Sequence, residues 1–352
     1  MNPNFWLNRR VFITGHTGFK GSWLAIWLMR MGAKVQGYSL PPLHEDGIYA
    51  KTKLKDLLDG ETLADIRDTQ ILSTVLNSYQ PEIIFHLAAQ PIVRASYNTP
   101  EETFSINVMG LLSLFEATRQ YNGARALINV TSDKCYENRE WVWPYREDEL
   151  LGGHDPYSAS KACAEILTSS YRRSFFNEAN IEIASARAGN VIGGGDKASD
   201  RLVPDFCNSL NTGKIFKLRN PSATRPWQHV LEPLNGYITL AEKLATTPTE
   251  FAEAWNFGPS SQSVKKVGEI ADFMCDYLNA PMWVMAKGAQ PHEAQSLALD
   301  SSKARNRLGW LSRWDVNTAL SQTLDWHQAC QKGADMMEFT LSQIASYEDD
   351  NR

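Results

Sequence analysis

Short apolar runs alternate along the chain with longer stretches in which apolar residues recur at helical spacing. A short run rich in β-branched residues predicts a buried parallel strand, because such a strand is covered on both faces. The longer stretches predict amphipathic helices. The predicted strands are 11–13, 34–38, a short strand ending at 65–68, 82–87, 126–130, 181–186 and 255–258. The predicted helices are 20–31, 71–79, 104–121, 157–175, 231–245, 264–278 and 316–331.

The alternation of strands and helices predicts an α/β fold, a Rossmann-like doubly wound parallel sheet with a smaller C-terminal substrate lobe. The chain has 352 residues, a length that suits one large domain and a smaller lobe. After about residue 190 the composition changes, and short apolar pieces are interspersed with the cations Arg201, Lys217, Arg219 and Arg225. This change predicts a first domain over 1–189 and a lobe over 190–352 that clamps a diphosphate, with some chain crossing between them.

A glycine-rich loop, Gly15-His16-Thr17-Gly18-Phe19-Lys20-Gly21, follows the first predicted strand and precedes the first predicted helix. In G-x-x-G-x-x-G spacing the first glycine allows a tight turn and the second lets the backbone approach a pyrophosphate. The third lets the helix pack close to the strand. The free N–H groups and the positive end of the helix dipole then face that phosphate. A structural strand-to-helix turn is the alternative, but this context favours a dinucleotide site.

The residues after the second and third predicted strands do not settle which dinucleotide is bound. The second strand is followed by 39–42, which contain neither the acid that would bind a ribose 2′-hydroxyl nor an Arg for a 2′-phosphate. The sequence therefore leaves NAD and NADP open. Asp65 and Ile66 are candidates to flank an adenine ring, although a solvated turn fits them equally well. The small residues at 88–89 leave room for a cofactor above the sheet edge, and Gln90 is placed to reach a substrate.

Composition and charge exclude several classes of protein. The net charge of −5 argues against a general nucleic-acid binder, which needs a basic surface. The N-terminal residues lack a signal-peptide pattern, and the most apolar segment is too short to cross a membrane. The five cysteines and seven histidines show no metal-ligand spacing, so no metal site is expected. Scattered cysteines of odd number predict reduced thiols in a cytoplasmic protein.

The candidate chemistry lies in the stretch from 131 to 161. Ser132 follows the fifth predicted strand, at the sheet edge where ligands bind in open α/β folds. Tyr157 and Lys161 are four residues apart and share a helix face. A lysine charge beside the phenol would lower the pKa of Tyr157, so that it can take a proton from a sugar hydroxyl while a nicotinamide takes the hydride. Ser132 would orient that hydroxyl, and Lys161 would also bind the nicotinamide ribose.

Asp133 and Lys134 suggest a second step. Oxidation of a sugar at C4 makes the C5 proton acidic, and loss of water across C5 and C6 then needs a base at C5 and an acid at O6. Asp133 is the candidate acid, which requires burial or a nearby anion to raise its pKa. Lys134 is the candidate base, which requires an uncharged amine favoured by burial and by the nearby Lys161. A surface Asp–Lys turn is the alternative.

The motifs together resemble the extended short-chain dehydrogenase/reductase superfamily, and within it the CDP-glucose 4,6-dehydratases. The resemblance covers residues from about 10 to about 310. It rests on the glycine loop, Asp65-Ile66, 86–89 and Tyr157-x-x-x-Lys161, and on the segments 15–24, 37–40, 131–136, 186–196 and 225–230. Related dTDP-glucose dehydratases carry Asp-Glu where this chain has Asp133-Lys134, which puts the identity of the C5 base in doubt. The 4-epimerases of the superfamily lack this acidic position.

The resemblance implies a lyase that converts CDP-D-glucose to CDP-4-dehydro-6-deoxy-D-glucose and water. Hydride would pass from C4 to NAD and return to C6, in a step of deoxysugar biosynthesis for bacterial surface polysaccharides such as the lipopolysaccharide O-antigen. The domain over 1–189 would then hold NAD and the catalytic residues, and the lobe over 190–352 would mainly hold the nucleotide sugar. A 4-epimerase, a dehydratase for another nucleotide sugar and a non-catalytic dinucleotide sensor are the alternatives.

The resemblance also implies the site residues. The catalytic residues would be Ser132, Asp133, Lys134, Tyr157 and Lys161. The cofactor would be bound by Gly15, Thr17, Gly18, Phe19, Lys20, Gly21, Asp65, Ile66, Leu87, Ala88, Ala89, Asn107, Tyr157 and Lys161. The substrate would be bound by Gln90, Ser132, Asn190, Leu202, Leu218, Arg219, Arg225 and His292. The helices near 104–121 and 157–175 are apolar enough to pair across a homodimer or homotetramer.

Overall fold

The computed structural model describes residues 1–247, 250–286 and 296–350. Its strands are β1 Arg10–Thr14, β2 Lys34–Ser39, β3 Gly60–Leu63, β4 Ile83–His86, β5 Ala126–Val130, β6 Glu182–Ala188, β7 Val191–Ile192, β8 Lys217–Leu218, β9 Thr224–Pro226, β10 Gln228–His229, β11 Ala254–Phe257, β12 Val264–Lys266 and β13 Val284–Met285. Its helices are α1 Pro3–Trp6, α2 Phe19–Arg30, α3 Ile48–Lys51, α4 Thr69–Tyr79, α5 Val93–Asn98, α6 Pro100–Phe104, α7 Gly110–Tyr121, α8 Pro156–Tyr171, α9 Leu202–Asn211, α10 Leu231–Thr246, α11 Val267–Tyr277, α12 Val316–Gln331 and α13 Met336–Asp349.

A seven-stranded parallel sheet forms the centre of the protein, in the order β11-β6-β5-β4-β1-β2-β3. Side chains alternate between its two faces, as the pleat requires. Phe12 and Ile84 pack into one cluster with helices α4 and α7, while Val11 and Ile83 pack into another with α2 and α10. The doubly wound α/β fold predicted from the sequence is therefore confirmed. A third cluster, built from residues between Ile192 and Leu324, forms the core of the second lobe.

The strand order reverses between β1 and β4, which pair with each other although two strands separate them in sequence. Such a reversal opens a crevice beyond the carboxyl ends of the strands, because the connecting helices leave in opposite directions. The glycine loop follows β1, residues 87–90 follow β4 and Ser132 lies just beyond β5. Three segments that the sequence separates widely therefore converge on one edge of the sheet.

Several predicted element boundaries were wrong. Residues 65–68 do not belong to a strand, since β3 ends at Leu63 and Asp65 begins the turn after it. The single helix predicted over 104–121 is divided by a π-helical turn, Ser105–Met109. The first residues of the helix predicted over 264–278 form β12, which pairs with β9 in the second lobe. Apolar spacing does not reveal such short breaks, because each changes the face of only a few side chains.

The sequence did not predict the short helices α1, α3, α5 and α6, nor the longer helices α9 and α13. Helix α13 lies at the end of the chain and packs against α12 and α2. Its attachment depends on the buried carboxylate of Glu232, which accepts hydrogen bonds from the backbone N–H groups of Arg313 and Trp314 and from the Tyr347 hydroxyl. A single acidic residue on α10 therefore satisfies donors of the 313–314 loop and of the last helix.

Replacement of Glu232 by Ala should destabilise the protein by on the order of 3 kcal/mol, because the buried donors at Arg313, Trp314 and Tyr347 would lose their acceptor. The free energy of unfolding by urea measures the effect. Glu338→Ala, an exposed position on α13, should change it by less than about 0.5 kcal/mol. Equal losses in the two variants would show that Glu232 does not hold the C-terminal elements.

Candidate active site

A cavity of about 800 Å³ lies beyond the carboxyl ends of β1, β4 and β5 and is closed on the other side by the second lobe. Its lining brings together most of the predicted site residues. These are Gly15, Thr17, Gly18, Phe19, Lys20, Gly21, Asp65, Ile66, Leu87, Ala88, Ala89, Ser132, Asp133, Lys134, Tyr157, Lys161, Asn190, Leu202, Leu218, Arg219 and Arg225. His292 lies outside the described residues.

The glycine loop makes two close backbone contacts that a side chain would block. Gly15 has a φ of +77°, and a Cβ atom there would lie 2.7 Å from the backbone nitrogen of Ala88. A Cβ atom on Gly21 would lie 2.2 Å from the carbonyl oxygen of Gly15. These contacts bring the loop, the start of α2 and the end of β4 close together. The N-terminus of α2 consequently faces the cavity with its free N–H groups, as an anion site requires.

The adenosine end of the predicted cofactor site contains neutral hydroxyls. The Thr17 hydroxyl lies 2.8 Å from the Ser39 hydroxyl and donates to the carbonyl of Leu40 at 3.0 Å. Asp65 is held by Arg67, whose guanidinium donates to both carboxylate oxygens at 2.9 and 2.6 Å. The Asp65 carboxylate is therefore already engaged, although the residue lines the cavity as predicted.

Two predicted ligand contacts are absent from the cavity lining. The Gln90 amide donates to the Thr103 hydroxyl at 2.9 Å and accepts from the backbone N–H of Ile92 at 2.5 Å. Asn107 holds the Gln90 backbone at both its N–H and its carbonyl, and donates to the Ser160 hydroxyl. Neither residue is among the described residues that line the cavity. Both shape the loop after β4 instead, because their polar groups are satisfied within the protein.

Ser132 begins the turn that carries the predicted acid and base. Its hydroxyl donates to the carboxylate of Asp133 at 3.0 Å and accepts from the backbone N–H of Lys134 at 3.3 Å. The next three residues, Asp133–Cys135, form one 3₁₀ turn. This geometry directs Asp133 and Lys134 into the same cavity. Cys135 is fully buried, and burial raises the pKa of its thiol, so it is a packing residue.

Asp133 is 2% exposed, and its Oδ2 atom is buried without a hydrogen-bond partner among the described residues. A Cβ atom on Gly189 would lie 2.9 Å from that oxygen, so the glycine provides the space it occupies. Burial raises the pKa of Asp133, while Lys134, Ser132, Arg225 and Lys20 act in the opposite direction. A carboxyl whose charged form is disfavoured and whose free oxygen lies at a cavity wall is suited to donate a proton.

Tyr157 and Lys161 project from the first turns of α8, which begins with the Asp155 cap and Pro156. Asp155 accepts the backbone N–H of Ser158, and this cap fixes where the helix starts. Burial raises the pKa of Tyr157 to about 12, with Ser132 and Arg201 lowering it and Asp133 raising it. Lys161 is not among the main influences on the phenol, so a lowering of the Tyr157 pKa by Lys161 stays a prediction.

Lys161 is itself 7% exposed and lies near the carbonyl oxygen of Val130, at 3.4 Å. Burial lowers the pKa of Lys161 to about 8, while Glu165 and Cys135 raise it. Lys134 is half-buried and lines the cavity beside Asp133.

Further cations line the cavity beside the predicted Arg219 and Arg225: Arg201, which the sequence placed among the cations of the second lobe, and Arg94 of α5, which was not predicted. Arg201 lines the cavity and donates to Asp196 at 2.9 Å, and Arg94 lies 3.7 Å from Asp200. Arg219 also pairs with Asp200. A concentration of Arg at the mouth of a cavity is suited to phosphate groups, which guanidinium binds with two hydrogen bonds. Arg94 lies in α5, a short helix that was not predicted, so no sequence pattern pointed to it.

The described residues contain no group of three or more His, Cys, Asp or Glu side chains arranged to hold a metal ion. In the same part of the chain, every helix is too short or too polar to traverse a bilayer. The site therefore consists of a dinucleotide-type glycine loop, a buried acid and a Ser–Tyr–Lys group. This arrangement can transfer protons at a substrate held beside a dinucleotide.

Comparison with known proteins agrees with this description. A family model described as GDP-mannose 4,6 dehydratase matches residues 12–323. The CDP-glucose 4,6-dehydratase of Salmonella typhimurium is 48% identical over 353 aligned positions, which cover 99% of this chain and 98% of the relative. The UDP-glucose 4-epimerase of Mycolicibacterium smegmatis is 25% identical, covering 90% of this chain and 98% of that protein.

Solved structures show the same fold at low sequence identity. The dTDP-glucose 4,6-dehydratase of Streptomyces venezuelae, solved with NAD bound, superposes with a TM-score of 0.79 at 21% identity and covers 93% of this chain and 99% of its own. The UDP-glucose 4-epimerase of Thermotoga maritima, solved with UDP-glucose, superposes with a TM-score of 0.78 at 20% identity. The match covers 92% of this chain and 99% of that one. Because the family model spans most of the chain, this protein belongs to the GDP-mannose 4,6-dehydratase family of the extended short-chain dehydrogenases/reductases.

Proposed function

We propose that this protein is a lyase that converts CDP-D-glucose to CDP-4-dehydro-6-deoxy-D-glucose and water, with NAD as a resident cofactor. The observation that carries the proposal is the buried carboxyl of Asp133, with its unpartnered Oδ2, beside Ser132, Tyr157 and Lys161. An enzyme that only oxidises and reduces C4 has no use for this acid. The identity of 48% to a CDP-glucose 4,6-dehydratase supports the choice of nucleotide.

The glycine loop and the residues after β3 and β4 are suited to hold NAD. The close contact of Gly15 with the end of β4 and the open N-terminus of α2 provide the cradle that a pyrophosphate needs. When bound, the nicotinamide would accept a hydride from C4 of the sugar and return it to C6. The neutral Thr17 and Ser39 hydroxyls suit an unphosphorylated ribose, since no cation among the described residues is hydrogen-bonded to either of them.

The side chains divide the proton transfers between two centres. Tyr157 would exchange the proton of the C4 hydroxyl, which Ser132 orients, and Lys161 would bind the nicotinamide ribose. Asp133 would protonate O6 as it leaves as water, because burial disfavours the charged carboxylate. Lys134, which shares the turn with Asp133, would remove the C5 proton. The elimination acid and base thus come from adjacent residues, and the oxidation residues come from α8 and the end of β5.

The second lobe would bind the nucleotide. Arg219 and Arg225 line the cavity and would neutralise the diphosphate together with Asn190, and Leu202 and Leu218 would lie beside the cytosine. The domain over 1–189 would hold NAD and the catalytic groups, and 190–352 would mainly hold the nucleotide sugar. The chain crosses between them, because β11 from the second part completes the main sheet beside β6. The five unpaired cysteines suit a cytoplasmic enzyme of deoxysugar biosynthesis.

The direct test is to incubate the protein together with NAD in three separate reactions, one each with CDP-, UDP- and dTDP-glucose. The products are then analysed by mass spectrometry. We expect CDP-glucose to lose the mass of one water and to give the alkali-induced absorbance of a 4-keto sugar. A product of unchanged mass with inverted C4 would instead identify a 4-epimerase. Dehydration of UDP- or dTDP-glucose but not CDP-glucose would refute the nucleotide assignment, and binding without turnover of any of them would favour a sensor.

Lys134→Ala should oxidise C4 but fail to eliminate water, so that NADH accumulates at 340 nm while product formation falls by roughly 100-fold or more. Lys134→Arg is the matched control, because Arg keeps a positive charge but does not act as a base at neutral pH. Both variants should be blocked at the same step. Normal turnover in the Arg variant would show that only the charge at this position matters.

Asp133→Asn should also trap NADH, because an amide has no acidic proton to give to O6. Since the acid form of Asp133 is the active one, elimination in the wild type should weaken as pH rises through the raised pKa of this carboxyl. The Asn variant should lose that dependence. Single-turnover measurements of NADH decay between about pH 5 and 9 test both points. A variant that eliminates water at the normal rate would assign the acid to another group.

The two helices predicted to pair in a dimer carry exposed apolar side chains. Ile166 of α8 is 58% exposed, and Met109 of the π-helical turn is 52% exposed. Phe104 at the end of α6 and Phe175 in the π-helical turn Arg172–Phe176, which follows α8, add further exposed apolar surface. Helix α8 packs beside α6 and the π-helical turn, so these side chains belong to neighbouring elements. We infer that they form a homodimer contact, since an apolar face of this kind is unfavourable in water.

Ile166→Glu should convert the dimer to a monomer, because two carboxylates would be buried at the contact. Sedimentation velocity measures the change in mass. Leu311→Glu is the control, since Leu311 is 54% exposed but lies outside these helices, and it should leave the assembly intact. A monomeric wild type, or equal behaviour of the two variants, would rule out this contact.

A further inference from the structure

A buried ion pair lies behind the reactive turn and takes no part in the reaction proposed above. Glu165 of α8 and Arg187 of β6 are each 3% exposed, and the guanidinium donates to the carboxylate at 2.8 Å. Neither residue is among the described residues that line the cavity. Removing two charges from water is costly, so a buried pair of this kind needs an explanation beyond stability.

The partners of the pair give that explanation. Glu165 accepts a short hydrogen bond from the hydroxyl of Thr131, which directly precedes Ser132. Arg187 donates to the hydroxyl of Tyr136 at 2.7 Å, and Tyr136 directly follows Cys135. The reactive turn, residues 132–135, is therefore attached at both ends to the same ion pair.

Each attachment is itself held in place by buried contacts. Arg187 also donates to the backbone carbonyl of Glu147 at 3.0 Å, and its guanidinium lies 4.9 Å from the centre of the Tyr136 ring. Tyr136 donates onward to Asn256 of β11 at 2.7 Å. The Glu165 carboxylate accepts from Ser185 at 2.6 Å, so both of its oxygens are occupied. Burial alone would raise the pKa of Glu165, but Arg187 and these hydroxyl donors hold it below its usual range.

The pair is also connected to the oxidation residues through α8. Glu165 follows Lys161 by one helical turn, so the two residues share a face. Lys161 faces the neutral Cys135 thiol, the His86 imidazole and the Lys20 amine as well as Glu165. Burial lowers the pKa of His86, so this imidazole is uncharged, and Glu165 is the nearby carboxylate that favours the ammonium form of Lys161.

We propose that Glu165 and Arg187 are positioning residues that fix the reactive turn 132–135 from both ends and place a carboxylate one helical turn from the Lys161 amine. Ser132, Asp133 and Lys134 would lose their alignment with Tyr157 if either end of the turn were released. The inference rests on the proposed function, because it assigns these residues to the alignment of that reaction. Reactions that need two aligned proton donors and acceptors are sensitive to displacements of about 1 Å, which can lower the rate by about 100-fold.

Three substitutions separate this role from general stability. Thr131→Val releases the first end of the turn, and Tyr136→Phe releases the second while keeping the aromatic ring. Ser185→Ala removes a hydroxyl donor to the same Glu165 carboxylate without touching either end. We expect kcat with CDP-glucose and NAD to fall by about 10- to 100-fold in the first two variants and to stay near wild type in the third. KM should change little in all three, since none of these residues has an assigned ligand contact.

Glu165→Gln tests whether the negative charge of Glu165 acts on Lys161. It keeps the size of the side chain and an acceptor oxygen but removes the negative charge that favours protonated Lys161. The alkaline limb of the C4 oxidation step, measured as single-turnover NADH formation, should therefore move to lower pH, because Lys161 would lose its proton at lower pH than in wild type. Tyr136→Phe should leave this limb in place, since it changes no charge near Lys161.

The outcomes are distinguishable. If the wild-type protein does not dehydrate any nucleotide sugar, the proposed function fails, and the positioning role that rests on it fails as well. If the wild type is active but Thr131→Val and Tyr136→Phe match Ser185→Ala in kcat, the positioning role is refuted. An unchanged alkaline limb in Glu165→Gln would refute the electrostatic part. If that variant does not fold, Thr131→Val and Tyr136→Phe still decide the role of the pair, because each retains the ion pair itself.

Discussion

The burial of ionisable side chains at one edge of a parallel sheet is the constraint on which the rest of this structure depends. Asp133, Lys161, Glu165 and Arg187 are all less than a tenth exposed. Water does not compensate their charges, so the protein must do so through specific partners or by disfavouring the charged form. Glu165 and Arg187 follow the first route, with hydroxyl donors around them. Asp133 follows the second, since one of its oxygens has no partner among the described residues.

This division has a functional consequence. A buried ion pair is rigid, because moving either partner would leave a charge unpaired in the interior. An incompletely compensated carboxyl is reactive, because its proton is held and can be given away. The structure places the rigid pair at the two ends of the turn and the reactive carboxyl in its middle. The residues that fix the turn and the carboxyl that reacts are thus only a few positions apart along the chain.

Tight backbone contacts make the burial sterically feasible. Gly15 lies against the backbone of Ala88, and Gly189 leaves space for the free oxygen of Asp133. A Cβ atom at either position would separate elements that must touch. The second lobe forms the other wall of the cavity, where Arg201 and Arg225 lie although their segments are far along the sequence. Glu232 then ties the C-terminal segments to α10, beneath the main sheet.

The sequence by itself determined the fold class, the glycine loop and the placement of Ser132, Tyr157 and Lys161 at one edge. These features depend on local patterns: apolar runs, glycine spacing and residues four apart on a helix. The tertiary structure alone decided the rest. The Gln90 side chain bonds Thr103 and the backbone of Ile92, and the Asn107 side chain bonds the Gln90 backbone, so both are engaged within the protein. This arrangement depends on the path of the loop after β4. The sequence also did not reveal the roles of Glu165 and Arg187. Their hydrogen bonds to Thr131 and Tyr136 join residues that lie far apart in sequence, and only the packing of α8 and β6 against β5 brings them together.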